Sequence, residues 1–254
     1  VAEFGRGEVA EDVFEYLDRL RAIGTESIER VDVIVGPGNS YVAEAKRQLS
    51  GRVGVASAFA GPSEIAIVAD ATTPPELAAI DLMVQAEHGP DGMAWLITWD
   101  EAVAAAVDAE LERLIAASPR RADLESTMST AGVCCLVDSA EAAMVVSNEI
   151  APEHLELLVT DYSKLVGGVR AAGAVFCGID APASLGDYAA GPNHILPTSR
   201  SARFSSALRA DDFRRHIHVV EVDRSGFEHL ADTVEVLAVA EGCLLYTSDA
   251  ADDT

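Results

Sequence analysis

The sequence predicts an α/β protein of Rossmann-like βαβ units with mostly parallel sheets. Two observations carry this. Short apolar runs rich in β-branched residues alternate along the chain with longer segments of helical period. Successive strand-like runs are separated by helix-length segments, the spacing of βαβ crossovers.

The first strand is VDVIV (31–35), followed by a GPGNS turn and a helix over YVAEAKRQL (41–49). EIAIVAD (64–70) is the second strand. Thr73 is placed to cap the next helix, Pro74 suits its first turn, and the apolar stripe runs to about His88, where Gly89-Pro90 ends it. AWLITWD (94–100) is a third strand, and EAVAAAVDAELERLIAAS (101–118) is a strong helix closed by Pro119. GVCCLVD (132–138) is a strand and SAEAAMVVSNEI (139–150) a helix. LELLVTD, a helix over 163–172 and AVFCGI (174–179) continue the alternation. Beyond residue 185 the chain becomes loop-rich, GDYAAGPNHILPTSRSARFSS, and then forms a last helix over about 225–241. In open parallel sheets ligands bind outside the carboxyl ends of the strands, so a site is expected there.

With 254 residues and 49% hydrophobic composition the chain can build a core of one or two domains. No apolar run approaches the ~20 residues that span a bilayer, and no signal peptide is visible, so no membrane partner is expected. A formal net charge of −24 repels phosphate backbones and argues against nucleic acid. Cys134, Cys135, Cys177 and Cys243 form no CxxC pair, which points away from a zinc finger and toward a reducing, cytoplasmic setting. Val1 at the start suggests a beginning further upstream. CLLYTSDAADDT (243–254) follows an apolar helix without cap logic and reads as the translation of a sequencing-adaptor end, an artefactual tail.

Several polar clusters interrupt this pattern. Gln85 and His88 are three apart and share a helix face, a spacing that can hold one zinc ion through an amide oxygen and an imidazole nitrogen. Taken alone, they also suit a solvated helix end. Glu153 beside His154 in APEHLEL could serve as general base and acid, or could simply open a helix after Pro152. GDYAAGPNHILPT (186–198) sets Asp187, Asn193 and His194 in a loop with no evident packing task. Asp187 could complete a metal site or cap a turn. VGPGNSYV (35–42) offers backbone amides at a helix start, and Asn39 could contact a ribose or amide. In AGPSEIAIVAD, Ser63 could contact a substrate or close the turn before the strand.

Together GPGNSYVAEAKRQLSGRVG, AGPSEIAIVAD, DLMVQAEHGPDG, APEHLEL and GDYAAGPNHILPT occur in an order and spacing that resembles the histidinol dehydrogenase family, from about Gly24 to Glu241. The resemblance implies a zinc-dependent, NAD-linked oxidation of L-histidinol to L-histidine by way of the aldehyde, on an aldehyde-dehydrogenase-like architecture here truncated. It implies Gln85, His88 and Asp187 as zinc ligands, Glu153 and His154 as the acid–base pair, and Asn39 as an NAD contact. Ser63 and Glu241 become substrate contacts, joined by Gln85, His88, His154 and Asp187.

Residues 1–60 are then the remainder of an NAD-binding domain, and 61–185 a second Rossmann-like domain carrying zinc and the acid–base pair. Residues 186–242 form an active-site loop and a C-terminal helical region. Two departures accompany the resemblance. A glutamine expected to touch NAD falls near Tyr16, and a last zinc-binding histidine falls at about Tyr246, inside the tail. In the family each site of a homodimer is shared, so this chain is expected to bind zinc weakly, to turn over little and to expose an apolar dimer surface. Val55-Ala56, where many members have Ile-Asp, keeps open a paralogue acting on another amino alcohol or diol. A ligand-binding fragment without turnover, or a zinc hydrolase, are the other readings.

Overall fold

The computed structural model describes residues 23–36, 40–56, 61–86 and 92–243. The chain divides into two units, 1–213 and 214–254. In the first, a small parallel pair joins β1 (Val33–Ile34) to β2 (Gly54–Val55) across α1 (Ser40–Leu49). Only two residues of VDVIV are strand. Ile34, Leu49 and Val53 close a small core there.

The main sheet contains β3 (Glu64–Ala69), β4 (Met93–Thr98), β5 (Gly132–Leu136), β6 (His154–Leu158) and β7 (Ala174–Cys177). All neighbours are parallel, in the order β5-β4-β3-β6-β7. The chain builds outward from β3 to β5, returns beside β3 at β6, and builds outward again. This is a doubly wound α/β sheet whose strand order reverses between β3 and β6. Both central strands are buried along their whole length, as expected for a parallel sheet covered on both faces.

One face packs Ile65, Ile67 and Leu96 against α2 (Pro75–Ala86) and α3 (Glu101–Ala117). The other packs Val68, Ile97, Leu155 and Leu157 against Ala143 and Met144 of α5 (Ala140–Ile150). The side chain of Asp100 caps α3 by accepting from Ala102 N at 2.8 Å, and that of Ser139 caps α5 by accepting from Ala142 N at 3.2 Å. α4 (Arg121–Ala131) is absent from the sequence reading. Its buried positions are Leu124, Thr127 and Ala131, so a threonine stands in the stripe and breaks the apolar period.

Other local expectations are corrected. The helix expected over 163–172 is α6 (Ser163–Val166), stopped at Gly167-Gly168. Residues 186–188, read as loop, belong to α7 (Ala183–Tyr188). Thr73 does not cap α2. Its hydroxyl accepts from Asp70 N at 2.9 Å and donates to Leu158 O at 2.5 Å, while Pro74 O receives Leu77 N at the helix start.

In the second unit, α8 (Arg224–Ala240) is capped by Asp223, whose side chain accepts from Gly226 N at 2.7 Å. Glu241 follows the helix and is exposed. Among the described residues no helix is long and apolar enough to cross a membrane.

Candidate active site

Ala151 ends α5 in a left-handed conformation, φ 51° and ψ 56°, directly ahead of Pro152. That conformation is unusual for alanine and disfavoured before proline, so the fold holds it at a cost of order 1–3 kcal/mol. The turn brings Glu153 and His154 out at the start of β6, the amino edge of the sheet.

The expectation of a site at the carboxyl edge is therefore not met by the acid–base pair. At the strand-order reversal the carboxyl edge is tied shut by its own hydrogen bonds. Thr73 bonds Leu158 O, Asp70 takes two bonds from Thr72, and Thr160 N donates to Thr72 Oγ1 at 3.0 Å. The covering helices run back against the strands, so their last turns arrive at the amino edge instead.

His154 is 4% exposed. Its Nδ1 lies 3.1 Å from the backbone oxygen of Glu64, its register neighbour on β3 being Ile65. A carbonyl only accepts, so Nδ1 carries a hydrogen, and in the neutral imidazole Nε2 holds the lone pair. Nε2 is buried without a hydrogen-bond partner and lies 3.5 Å from Asp187 Oδ1. Glu153 Oε2 accepts from Glu64 N at 3.0 Å and lies 3.5 Å from His154 Nδ1. Phe176 stacks on the imidazole with ring centroids 5.9 Å apart. A Cβ on Gly186 would come within 2.4 Å of the Phe176 ring, so glycine permits the close approach of α7 that brings Asp187 to His154. Burial alone would lower the His154 pKa. The hydrogen bond and charge of Glu153, then the charge of Asp187, outweigh it and raise the pKa.

Gln85 sits in the last turn of α2 and is 2% exposed, with its Oε1 buried and unpartnered. An amide oxygen buried without a donor costs about 1–3 kcal/mol, and it is the kind of atom that binds a cation. That observation fits a metal. Among the described residues no group of three or more His, Cys, Asp and Glu side chains is placed to hold one. A site through Gln85, Asp187 and His88 would be of a different composition, and His88 lies outside the described residues, as does Asn39. Ser63 is half-buried one residue before β3, and its carbonyl accepts from Met93 N at 3.0 Å. His194 is exposed, and Asn193 turns its own loop by accepting from Ile195 N at 2.7 Å.

Glu64 receives no role in the sequence reading. Strand alternation points its side chain to the face opposite His154, where it lines a cavity of about 670 Å³ with Trp95, Val145 and Val146. Ser199 N donates to Glu64 Oε1 at 2.9 Å, and Oε2 is buried and unpartnered. Burial pushes its pKa up from 4.5 to about 7, only partly opposed by the Ser199 bond. The folded state therefore binds the proton more tightly than the unfolded chain. Glu64 favours folding below pH 4.5 relative to neutral pH, and that advantage is lost as pH rises toward 7. Glu64→Gln should remove this slope: urea unfolding should show the variant gaining on the parent between pH 5 and pH 8, by roughly 1–3 kcal/mol. Parallel profiles would show that Glu64 is charged throughout.

A buried imidazole between two carboxylates, on a doubly wound parallel sheet, defines an α/β protein with a candidate acid–base site. The sequence profile of the histidinol dehydrogenase family matches residues 20–251. "Histidinol dehydrogenase 2" from Nostoc sp. is 46% identical over 221 residues, covering 87% of this chain and 51% of that protein. Histidinol dehydrogenase from Synechococcus sp. is 48% identical over 221 residues, covering the same shares of 87% and 51%. The crystal structure of histidinol dehydrogenase from Elizabethkingia anophelis superposes with a TM-score of 0.84 at 35% identity, covering 91% of this chain and 53% of that one. Gamma-glutamyl phosphate reductase from Thermotoga maritima shares the fold alone, with a TM-score of 0.50 at 14% identity over 83% of this chain and 56% of that one. The chain belongs to the histidinol dehydrogenase family. It spans about half the length of the curated relatives it matches.

Proposed function

We infer that the protein oxidises L-histidinol to L-histidine with NAD and zinc, the last step of histidine biosynthesis. The observation that carries this reading is the His154 imidazole, with Nδ1 fixed on the Glu64 carbonyl and Nε2 open beside Asp187. Gln85, His88 and Asp187 would hold zinc, which when bound orients the substrate's amine and imidazole. Asn39 and residues 1–60 would contribute to holding NAD, which takes up hydride.

His154 Nε2 is the base for the carbinol proton. Asp187 and Glu153 stabilise the imidazolium that results. Glu153 uses Oε2 to accept from Glu64 N and keeps its other oxygen for the water that attacks the aldehyde. Phe176 and the sheet keep bulk water from the imidazole. Ser63 and Glu241 are the further substrate contacts of this reading.

A homodimer with shared sites is supported by apolar side chains exposed in the second unit, among them Val219, Val220 and, on α8, Val236 and Leu237. Free cysteines support a cytoplasmic setting. An aldehyde-dehydrogenase-like architecture is the fold description that goes with this reading.

The test is NADH formation from L-histidinol, NAD and zinc, with and without a chelator. It should be run on the 254-residue chain and on a form extended to the length of its relatives. Chelator-sensitive formation of two NADH per histidinol in the extended form is expected (about 2, one per oxidation step). A folded, zinc-loaded protein that makes no NADH from histidinol would overturn the assignment and direct the search to other amino alcohols or diols.

A further inference from the structure

Besides His154, strand β6 carries a second residue that a sheet core does not call for. Glu156 is 1% exposed at the middle of HLELL. It points to the same face as His154, two residues before it, toward α2 and α7. Its Oε1 accepts from Ala183 N at 2.7 Å. Ala183 opens α7, and Pro182 before it supplies no side-chain cap. A strand carboxyl thus caps the helix that carries Asp187.

Asp81, on α2 one turn before Gln85, is buried as well, 9% exposed. Burial raises the pKa of both, and the charge of Asp81 lifts Glu156 further. Glu156 Oε2 is buried and no protein donor reaches it, as suits an oxygen that itself bears the proton.

We propose that Glu156 is a positioning residue that locks α7 onto β6 and so sets Asp187 beside His154. The consequence for zinc rests on the functional reading above; the lock itself does not.

Two variants of the 254-residue chain separate the possibilities. Glu156→Gln keeps an acceptor for Ala183 N, while Glu156→Ala removes it. Amide hydrogen exchange over residues 183–187 should quicken about tenfold or more in Glu156→Ala, the loss of a buried hydrogen bond, and stay at the parent rate in Glu156→Gln. Infrared spectra at neutral pH should show a protonated-carboxyl stretch in the parent that Glu156→Gln abolishes. Zinc affinity, measured by competition with a chromophoric chelator, should fall roughly 10–100-fold in Glu156→Ala and be retained in Glu156→Gln.

Parent-like exchange in Glu156→Ala would overturn the lock, and so would a Glu156→Gln protein as loosened as Glu156→Ala. An infrared band that survives Glu156→Gln would place the proton elsewhere and overturn a protonated Glu156. If Glu156→Ala does not fold, Glu156→Gln decides alone: it must fold, keep its protection and lose the band. Failure of the form extended to the length of its relatives to bind zinc would sink the metal reading, while exchange and infrared spectra still decide the lock.

Discussion

In the proposed reaction, assayed on the form extended to the length of its relatives, replacing His154 with asparagine should lower turnover of L-histidinol by about 10²–10⁴-fold with little change in folding. The asparagine amide can still donate to the Glu64 carbonyl that now takes the Nδ1 hydrogen. The packing against Phe176 is reduced but the sheet edge stays closed. What is lost for the chemistry is the lone pair on Nε2, which the Glu64 bond does not supply. Proton removal from the carbinol would then fall to water. Steady-state NADH formation, with thermal unfolding as the control, measures this. A variant with parent kcat and parent stability would take His154 out of the chemistry.

Gln85→Leu should move two quantities in opposite directions. In the metal-free chain a buried amide oxygen without a donor is removed and a side chain of similar size fills its place. The stability should rise by about 1–2 kcal/mol, or at worst stay level. With metal, the ligand proposed for zinc is removed, and zinc affinity should drop by at least about 100-fold. A side chain that served only packing would show neither the gain nor the loss together. Urea unfolding of the metal-free protein and chelator competition read the two effects separately. A stability loss with unchanged zinc affinity would return Gln85 to a structural role.

The sequence showed the main sheet well because its strands are buried on both faces. EIAIVA is a near-continuous apolar run, and such a run survives reading without periodicity. It showed α4 poorly because Thr127 is buried where a larger apolar side chain would have completed the stripe. Asp187 was legible as a site candidate but not as helical, since GDY followed by small residues, glycine and proline gives no apolar repeat.

The candidate acid–base pair lies at the amino edge, not at the carboxyl edge that the sheet topology led one to expect. The rule of carboxyl-edge binding holds where the switch point is open, and here Asp70, Thr72 and Thr73 occupy it. Glu156 had a visible signal: a lone carboxylate inside an apolar central strand must find a donor or a proton. Glu64 had less, because at the first position of a strand a glutamate ordinarily faces water. The pairing of His154 with a backbone carbonyl on β3 needed the register of two strands 90 residues apart in sequence, which no local pattern contains.

Gln85 and Asp187 occupy the closing turns of α2 and α7, and neither turn contains a basic side chain. The closing turn of a helix presents carbonyl oxygens and a partial negative charge, here without the lysine or arginine that would complement it. Glu153 adds a full negative charge nearby. The amino edge therefore discriminates by charge before it discriminates by shape. Metal ions and protonated amines should be favoured there over phosphate and sulfate, so cations should compete best with the amine of the proposed substrate.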